Sequence, residues 1–182
     1  MENVTTKNKE LPEQAKRDQV LATVCIKYTQ SNSVGYAING MMIGVGAGQQ
    51  SRVDCVKLAG RKVTTWWMRQ HPKVLALKFK PDVKRQARVN ARVRYIEGDM
   101  TEIEYKTWAE QFEEVPAPLD KADFDEHMKK LTGVTLSSDA FFPFRDSIDV
   151  CVRYGVKYIA QPGGSVQDGG VTEACDQYEM VQ

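Results

Sequence analysis

The stretch KYTQSNSVGY, residues 27–36, crowds hydrogen-bonding side chains into five positions, among them Thr29, Ser31, Asn32 and Ser33. Hydroxyl and amide groups this close together bind a polar ligand in some proteins and close a turn in many others. The stretch follows a helical pattern and precedes an apolar run. The pattern alone therefore favours a polar turn between a helix and a strand, with ligand binding as the open alternative.

A second candidate is GVGAGQQSR, residues 44–52. Glycines after a strand, followed by a helix start and an arginine, can let backbone amides approach a phosphate. However, no Gly-Lys-Ser/Thr follows, and the spacing does not match G-x-G-x-x-G. A plain strand-to-helix turn is favoured over a phosphate site.

The third candidate is SSDAFFPFRD, residues 137–146. Side chains alternate along an extended chain, so Phe141, Phe142 and Phe144 cannot all face one core. At least one ring is expected to face away, toward a ligand with a flat ring. Asp146 either caps the next helix, with Asp149 as a weak capping-box partner, or accepts hydrogen bonds from a ring edge. Core packing with a cap is at least as well supported by the pattern.

The charged residues indicate no particular partner. The chain has 182 residues, 42% of them hydrophobic and 27% charged, with a formal net charge of +1. The basic segment 78–94 puts Lys84, Arg88 and Arg92 on one helical face, but eleven acidic residues follow between Glu97 and Glu126. A solvated face is favoured over a nucleic-acid site, although the segment can hold phosphates.

The sequence shows no nucleophile or zinc motif. Its two histidines lie in no Ser/His/Asp or Cys/His pattern, and the cysteines form no Cys-x-x-Cys pair, which favours free thiols in a reducing cytosol. No signal peptide is visible, and no apolar run is long enough to span a bilayer. The cysteines are Cys25, Cys55, Cys151 and Cys175.

Strands that alternate with helices predict a single α/β domain, residues 1–182, whose sheet is covered by helices. Asn39-Gly40 between two apolar runs predicts a hairpin. The predicted helices are 12–29, one that begins near Ser51 and stops before Pro72, the basic segment, 101–114, 120–131, one from Asp146 to Gly155, and 166–177. The predicted strands are 34–38, 41–46, 74–79, 134–136 and 156–161.

Several of these stretches together closely resemble the transformylase part of the AICAR transformylase/IMP cyclohydrolase family. The resemblance runs from about Asn3 to Asp176. It implies a cytidine-deaminase-like three-layer fold, cytosolic, without zinc and lacking the family's final strand. The stretches are KYTQSNSVGYAINGMMIGVGAGQQSR, WWMRQHPKVL, KRQARVN, LTGVTLSSDAFFPFRDSID, GVKYIAQPGGS and EACD.

The resemblance implies that the whole enzyme transfers a formyl group from 10-formyltetrahydrofolate to AICAR ribotide, in purine (IMP) biosynthesis, at a homodimer interface. By position it assigns AICAR contacts to Asn32, Arg52 and Phe141. Folate contacts fall on Val53, Asp146, Ser165 and Val166, with Asn90 in support. A potassium site falls on Thr29, Ser31, Ser33 and Asp139.

The departures from the family pattern are as informative. The family's catalytic Lys-His pair has no counterpart, because no Lys-His dipeptide occurs in the sequence. The cyclohydrolase domain and a C-terminal arginine are also missing. The chain is therefore expected to be a C-terminal transformylase subdomain, truncated at both ends, which has no activity alone and needs the first subdomain or a second subunit. The alternative is a non-catalytic paralogue that binds a purine intermediate or a full-length transformylase subunit.

Overall fold

The computed structural model describes residues 3–182 and divides into two compact units. The first unit contains the residues up to Thr64 together with Leu131–Gln182, and the second is Thr65–Lys130. The helices are α1 (Glu13–Lys27), α2 (Arg52–Met68), α3 (Pro72–Leu75), α4 (Arg85–Glu97), α5 (Glu102–Ala109), α6 (Lys121–Met128), α7 (Asp146–Cys151) and α8 (Asp168–Gln177), with a 3₁₀ turn at Val152–Tyr154. The strands are β1 (Ser33–Ile38), β2 (Met41–Ala47), β3 (Val134–Ser138) and β4 (Val156–Ala160).

The predicted hairpin is confirmed. Strands β1 and β2 pair antiparallel, and the turn residues Asn39 and Gly40 have φ values of 52° and 76°. Two consecutive positive φ values are those of the tight hairpin turn that Asn-Gly favours, because asparagine and glycine adopt this conformation at low cost.

The strand order is β2-β1-β3-β4. Strand β3 runs antiparallel to β1 and parallel to β4. The antiparallel pairing sets the start of β1 beside the end of β3, so that the Asp139 N–H donates to the Ser33 carbonyl oxygen at 3.2 Å. This register brings together two polar stretches that are far apart in the sequence.

Helices cover both faces of the sheet at β1. A Cβ on Gly35 would lie 2.8 Å from the Ile26 side chain of α1, whereas the buried Tyr36 hydroxyl donates to the Val56 carbonyl oxygen of α2 at 3.2 Å. Neighbouring strand residues face opposite sides, so α1 and α2 lie on opposite faces. The predicted α/β class with a covered sheet is confirmed; the cytidine-deaminase-like fold remains an expectation.

The edge of β4 is partly covered, although the resemblance implies that the family's final strand is lacking. The Val181 N–H donates to the Lys157 carbonyl oxygen, and the Ile159 N–H donates to the Val181 carbonyl oxygen, at 2.9 and 2.8 Å. The Thr5 N–H then donates to the Gln182 carbonyl oxygen at 2.7 Å. These short segments bond part of the backbone N–H and C=O groups at the edge of β4, which would otherwise be available for pairing with another chain.

The predicted strand 74–79 is wrong. Pro72 occupies the first turn of the short helix α3, and the Lys73 N–H donates to Nδ1 of the His71 side chain at 3.2 Å. A fixed proline φ and a capping side chain start a helix locally. Only Phe79 forms a β-bridge, to Phe112, within the core of the second unit.

Candidate functional site

Arg52, the first residue of α2, is at the centre of a buried polar cluster. It is 7% exposed. Its guanidinium donates to the Asn32 Oδ1 atom at 3.0 Å, to the Ser33 carbonyl oxygen at 3.2 Å and to the Asp139 carboxylate, with which it forms an ion pair. The buried Nε of Arg52 has no hydrogen-bond partner among the described residues. One guanidinium therefore joins two polar stretches that the sequence singled out.

The orientation of the Asn32 amide follows from its backbone partners. Its Nδ2 group donates to the carbonyl oxygens of Gln49 and Gln50 at 3.0 and 3.2 Å. Because carbonyl oxygens only accept, the amide nitrogen must face this loop and the amide oxygen must face Arg52. The loop after β2 thus orients Asn32, and Asn32 helps to orient Arg52.

The Asp139 carboxylate is held ionised although it is only partly exposed, with 18% of its side chain accessible. Burial raises the pKa of this carboxyl, but hydrogen bonds from the Ser31 side chain, from the Ser33 N–H at 2.9 Å and from Arg52 outweigh it, so that the pKa is lowered. A partly buried carboxylate with a guanidinium partner and a backbone donor is a stable anion at neutral pH. The cluster is a fixed, internally paired arrangement of charge.

The glycines of GVGAG have a packing role, in agreement with the turn interpretation. A Cβ on Gly44 would lie 2.4 Å from the Ala59 carbonyl oxygen, and one on Gly46 would lie 2.2 Å from the Cys55 carbonyl oxygen. Both contacts are with the backbone of α2. Strand β2 therefore carries glycine where α2 crosses it, and this close crossing sets the position of Arg52.

The aromatic stretch divides between core and surface, as predicted. Phe142 is fully buried, whereas Phe141 and Phe144 are 40% and 62% exposed. The Phe142 N–H donates to the Gln161 Oε1 atom at 2.7 Å, which ties this stretch to the end of β4. Phe141 is therefore partly exposed two residues after Asp139.

The prediction that Asp146 caps a helix is wrong. Helix α7 begins at Asp146, its N-cap position is Arg145, and no side chain caps it. Asp149 is not a capping-box partner either, because its carboxylate accepts two hydrogen bonds from Arg145 at 3.0 Å. An acidic side chain in the first turn favours the helix without capping it. Asp146 is exposed, and its Oδ1 atom accepts a hydrogen bond from the Ser147 hydroxyl at 3.4 Å.

Two side chains that the sequence analysis missed line a cavity of about 730 Å³ in the first unit. Gln161 uses its amide oxygen for Phe142, which leaves its buried Nε2 without a partner among the described residues. Asp168 Oδ2 accepts from the Gly164 and Ser165 N–H groups, and its buried Oδ1 has no such partner. No sequence signal marked either residue, because both are ordinary loop and helix-start positions.

The structure brings together only some of the predicted residues. Asn32, Arg52 and Asp139 are in direct contact, and Val53 and Phe141 adjoin them in sequence. Ser165 and the fully exposed Val166 lie in the loop after β4. Among the described interactions, neither contacts the Arg52 cluster, which consists of Arg52, Asn32, Ser33 and Asp139. Asn90 belongs to α4 of the second unit, where it is exposed and accepts from Gln86 at 3.5 Å.

The residues predicted for potassium have suitable chemistry. The hydroxyls of Thr29 and Ser33 both donate to the Ile26 carbonyl oxygen, at 2.7 and 3.5 Å, and Ser31 bonds to Asp139. Oxygen groups of this kind suit a hard cation. The Asp139 carboxylate already has the Arg52 guanidinium as a positively charged partner.

Residues 3–182 contain neither a cluster of metal-ligating side chains nor a helix suited to cross a membrane. No group of three or more His, Cys, Asp or Glu side chains is placed to hold a metal ion. No helix in this range has both the length and the apolar character needed to cross a membrane.

Comparisons with known proteins agree with the motifs. The family described as the AICARFT/IMPCHase bienzyme matches residues 1–62. The bifunctional purine biosynthesis protein PurH of Buchnera aphidicola subsp. Schizaphis graminum (strain Sg) is 28% identical over 163 residues, which cover 90% of this chain and 20% of that protein. The PurH protein of Xylella fastidiosa (strain 9a5c) is 29% identical over 165 residues, 91% of this chain and 20% of that protein.

The chain spans 20% of the length of these curated relatives. The motifs, the family match and the relatives all identify the same proteins. The chain is therefore similar to the AICARFT/IMPCHase bienzyme family over residues 1–62, and to PurH proteins over about nine tenths of its length.

Proposed function

We propose that this chain positions AICAR ribotide and 10-formyltetrahydrofolate for formyl transfer in purine biosynthesis. The observation that carries the proposal is the buried Arg52, held by Asn32 and Asp139, with the exposed Phe141 ring two residues after Asp139. An oriented guanidinium, a fixed amide and a partly exposed aromatic ring suit a ligand that carries a flat ring with polar substituents.

The roles follow the resemblance residue by residue. Asn32, Arg52 and Phe141 hold AICAR, while Val53, Asp146, Ser165 and Val166 hold the folate, with Asn90 in support. The exposed carboxyl of Asp146 accepts hydrogen bonds from the N–H groups of the pterin ring. A potassium ion, where present, is held by Thr29, Ser31, Ser33 and Asp139.

The chemistry assigned to these residues is alignment. The AICAR amine attacks the formyl carbon, the bond from that carbon to the folate nitrogen breaks, and a proton moves from the amine to the leaving nitrogen. Holding the two reactants at attack distance accounts for a large share of catalysis in such transfers. The proton transfers need an acid–base group that the resemblance places outside this chain.

Binding tests the proposal directly. AICAR ribotide is titrated calorimetrically into the 182-residue chain, alone and mixed with the first transformylase subdomain of a PurH relative. We expect heat of binding in the mixture, and Asn32→Ala should weaken it by roughly tenfold or more because a fixed hydrogen-bonding partner is lost. Lys57→Ala, an exposed change on α2, is the control.

Two outcomes would contradict the proposal. A folded and associated mixture that does not bind AICAR ribotide removes the positioning role. Ligand binding that Asn32→Ala and Lys57→Ala change equally would show that the Arg52 cluster is not the site. If the chain associates with a full-length relative and binds no ligand, the paralogue alternative is favoured.

A further inference from the structure

The Phe79 ring in the second unit carries two arginine side chains. The guanidinium carbons of Arg92 and Arg88 lie 5.0 and 5.7 Å from its centroid. Phe79 is 8% exposed and packs against Phe112 with ring centroids 4.8 Å apart, and the two residues also form a β-bridge. The ring is thus a fixed platform beneath two positive charges.

The two arginines differ in how they are held. Arg88 donates from Nε to the Val83 carbonyl oxygen at 2.8 Å, and from NH2 to the carbonyl oxygens of Lys80 and Pro81 at 3.3 and 3.5 Å. Arg92, one turn further along α4, has no hydrogen bond or ion pair among the described interactions, only its contact with the ring. Arg88 is a structural part of the turn, whereas the donors of Arg92 are free.

The first turn of α4 adds positive charge where a helix disfavours it. Lys84 occupies the N-cap position without a side-chain cap, Arg85 follows it, and the first turn contains no acidic residue. Cations near a helix N-terminus are disfavoured, whereas an anion there is stabilised by the free N–H groups. None of the ion pairs of the described residues involves these side chains, Arg88 or Arg92, and the nearby Asp82 forms no such pair either.

We propose that Arg92, with the side chains of Lys84 and Arg85, forms a site for a small, multiply charged phosphate-type anion on the Phe79 platform. An arginine fork bonds two oxygens of a phosphate, and an anion relieves the repulsion between guanidiniums held on one ring. The proposal concerns the second unit and is independent of the function proposed for the Arg52 cluster.

Calorimetric titration of the 182-residue chain with pyrophosphate, and separately with inorganic phosphate, at constant ionic strength tests this site. We expect saturable binding, tighter for pyrophosphate. Arg92→Gln should weaken it by roughly tenfold or more, because charge-assisted hydrogen bonds are lost. Arg92→Lys should weaken it less, since the charge remains but the fork does not. Arg69→Gln, an exposed change just after α2 in the same unit, should leave binding unchanged.

Circular dichroism establishes that each variant is folded. Absence of pyrophosphate binding by the unmodified chain, or equal affinity in the Arg92→Gln and Arg69→Gln variants, overturns the proposal. Titration with a single-stranded RNA tests whether the arginines bind the phosphates of a nucleic acid instead of a small anion. RNA binding with strong salt dependence, but without pyrophosphate binding, replaces the small-anion site with an extended nucleic-acid surface.

Discussion

At the scale of single residues, Arg52 and Asp139 show how one pair determines both stability and the chemistry of the site. The side chains of Arg52 and Asp139 are 6% and 18% exposed. Charges removed from water in this way are tolerated only when they are paired and hydrogen-bonded. The same pairing leaves the Arg52 guanidinium rigid, which a positioning residue requires.

Asp139→Asn should destabilise the chain by about 3 kcal/mol, because it leaves a buried guanidinium without a counter-charge. The substitution preserves shape and an acceptor for the Ser33 N–H, so the effect reports mainly on charge. Urea unfolding followed by far-ultraviolet circular dichroism measures it. Glu13→Gln removes an exposed carboxylate paired with Lys16 and is the control, with a far smaller expected change. Equal effects of the two substitutions would show that the Arg52–Asp139 pair contributes little.

At the scale of elements, the crossing of α2 over β2 depends on glycine. Gly46 and Gly44 lie directly beneath backbone atoms of α2, which cannot move aside as a flexible side chain can. The crossing matters for the site because α2 begins with Arg52.

Gly46→Ala should cost about 1–3 kcal/mol, since the added methyl group forces α2 away from the sheet. Gly169→Ala is the matched control, because a Cβ at that position in α8 meets nothing within 4 Å. The control should be neutral or slightly stabilising, as alanine favours helices over glycine. Thermal unfolding compares the two variants, and a Gly46→Ala protein as stable as the control would mean that α2 is not tightly seated.

A second element-scale prediction concerns His127 on α6. Burial lowers the pKa of His127, and the nearby His71 and Lys130 add to this effect, against a hydrogen bond to the Trp67 carbonyl oxygen. Its buried Nδ1 has no partner among the described residues. Protonation would place an unbonded N–H at that atom.

Because the folded pKa lies below that of the unfolded chain, the second unit is fully stabilised above about pH 6.5, the ordinary value. Its stability should decrease as the pH falls below that value. Tryptophan fluorescence is the measurement, since Trp66, Trp67 and Trp108 all lie in this unit. In the His127→Gln variant, the stability of the second unit should depend less on pH near pH 6. An unchanged dependence of stability on pH would mean that other groups cause it.

At the scale of the whole molecule, the chain resembles one portion of a longer bifunctional protein, of which it spans 20%. Its two units contain separate cores. The Arg52 cluster belongs to the first unit, and the Phe79 platform belongs to the second.

The 182-residue chain alone should form no formyl-AICAR ribotide from AICAR ribotide and 10-formyltetrahydrofolate, because the Lys-His pair of the resembled enzymes has no counterpart in its sequence. Mass detection of the product measures this, with a full-length PurH relative as the positive control. Clear turnover by the chain, abolished in the Asn32→Ala variant, would show that it contains its own acid–base group.

The hairpin and most helices followed from local patterns, because Asn39-Gly40 and periodic apolar residues act through near neighbours. The predicted strand 74–79 failed because Pro72 and His71 start a helix there, a local signal that the apolar run concealed. The helix start at Asp146 was placed correctly, but its cap was not. The sequence could not predict the roles of Gln161 and Asp168. Which polar atom of each side chain lacks a partner depends on the hydrogen bonds that its other polar atom makes in the folded chain.

By itself, the sequence determined the resemblance to a family, the α/β class and the identity of the polar stretches, because long motifs and short-range periodicity can be read without coordinates. Only the tertiary structure decided that Arg52 binds Asp139, 87 residues away. That contact exists because β1 pairs antiparallel with β3 and α2 crosses β2 closely enough to set Arg52 beside both stretches. Pairing between distant segments depends on the packing of the whole unit, which no local pattern encodes.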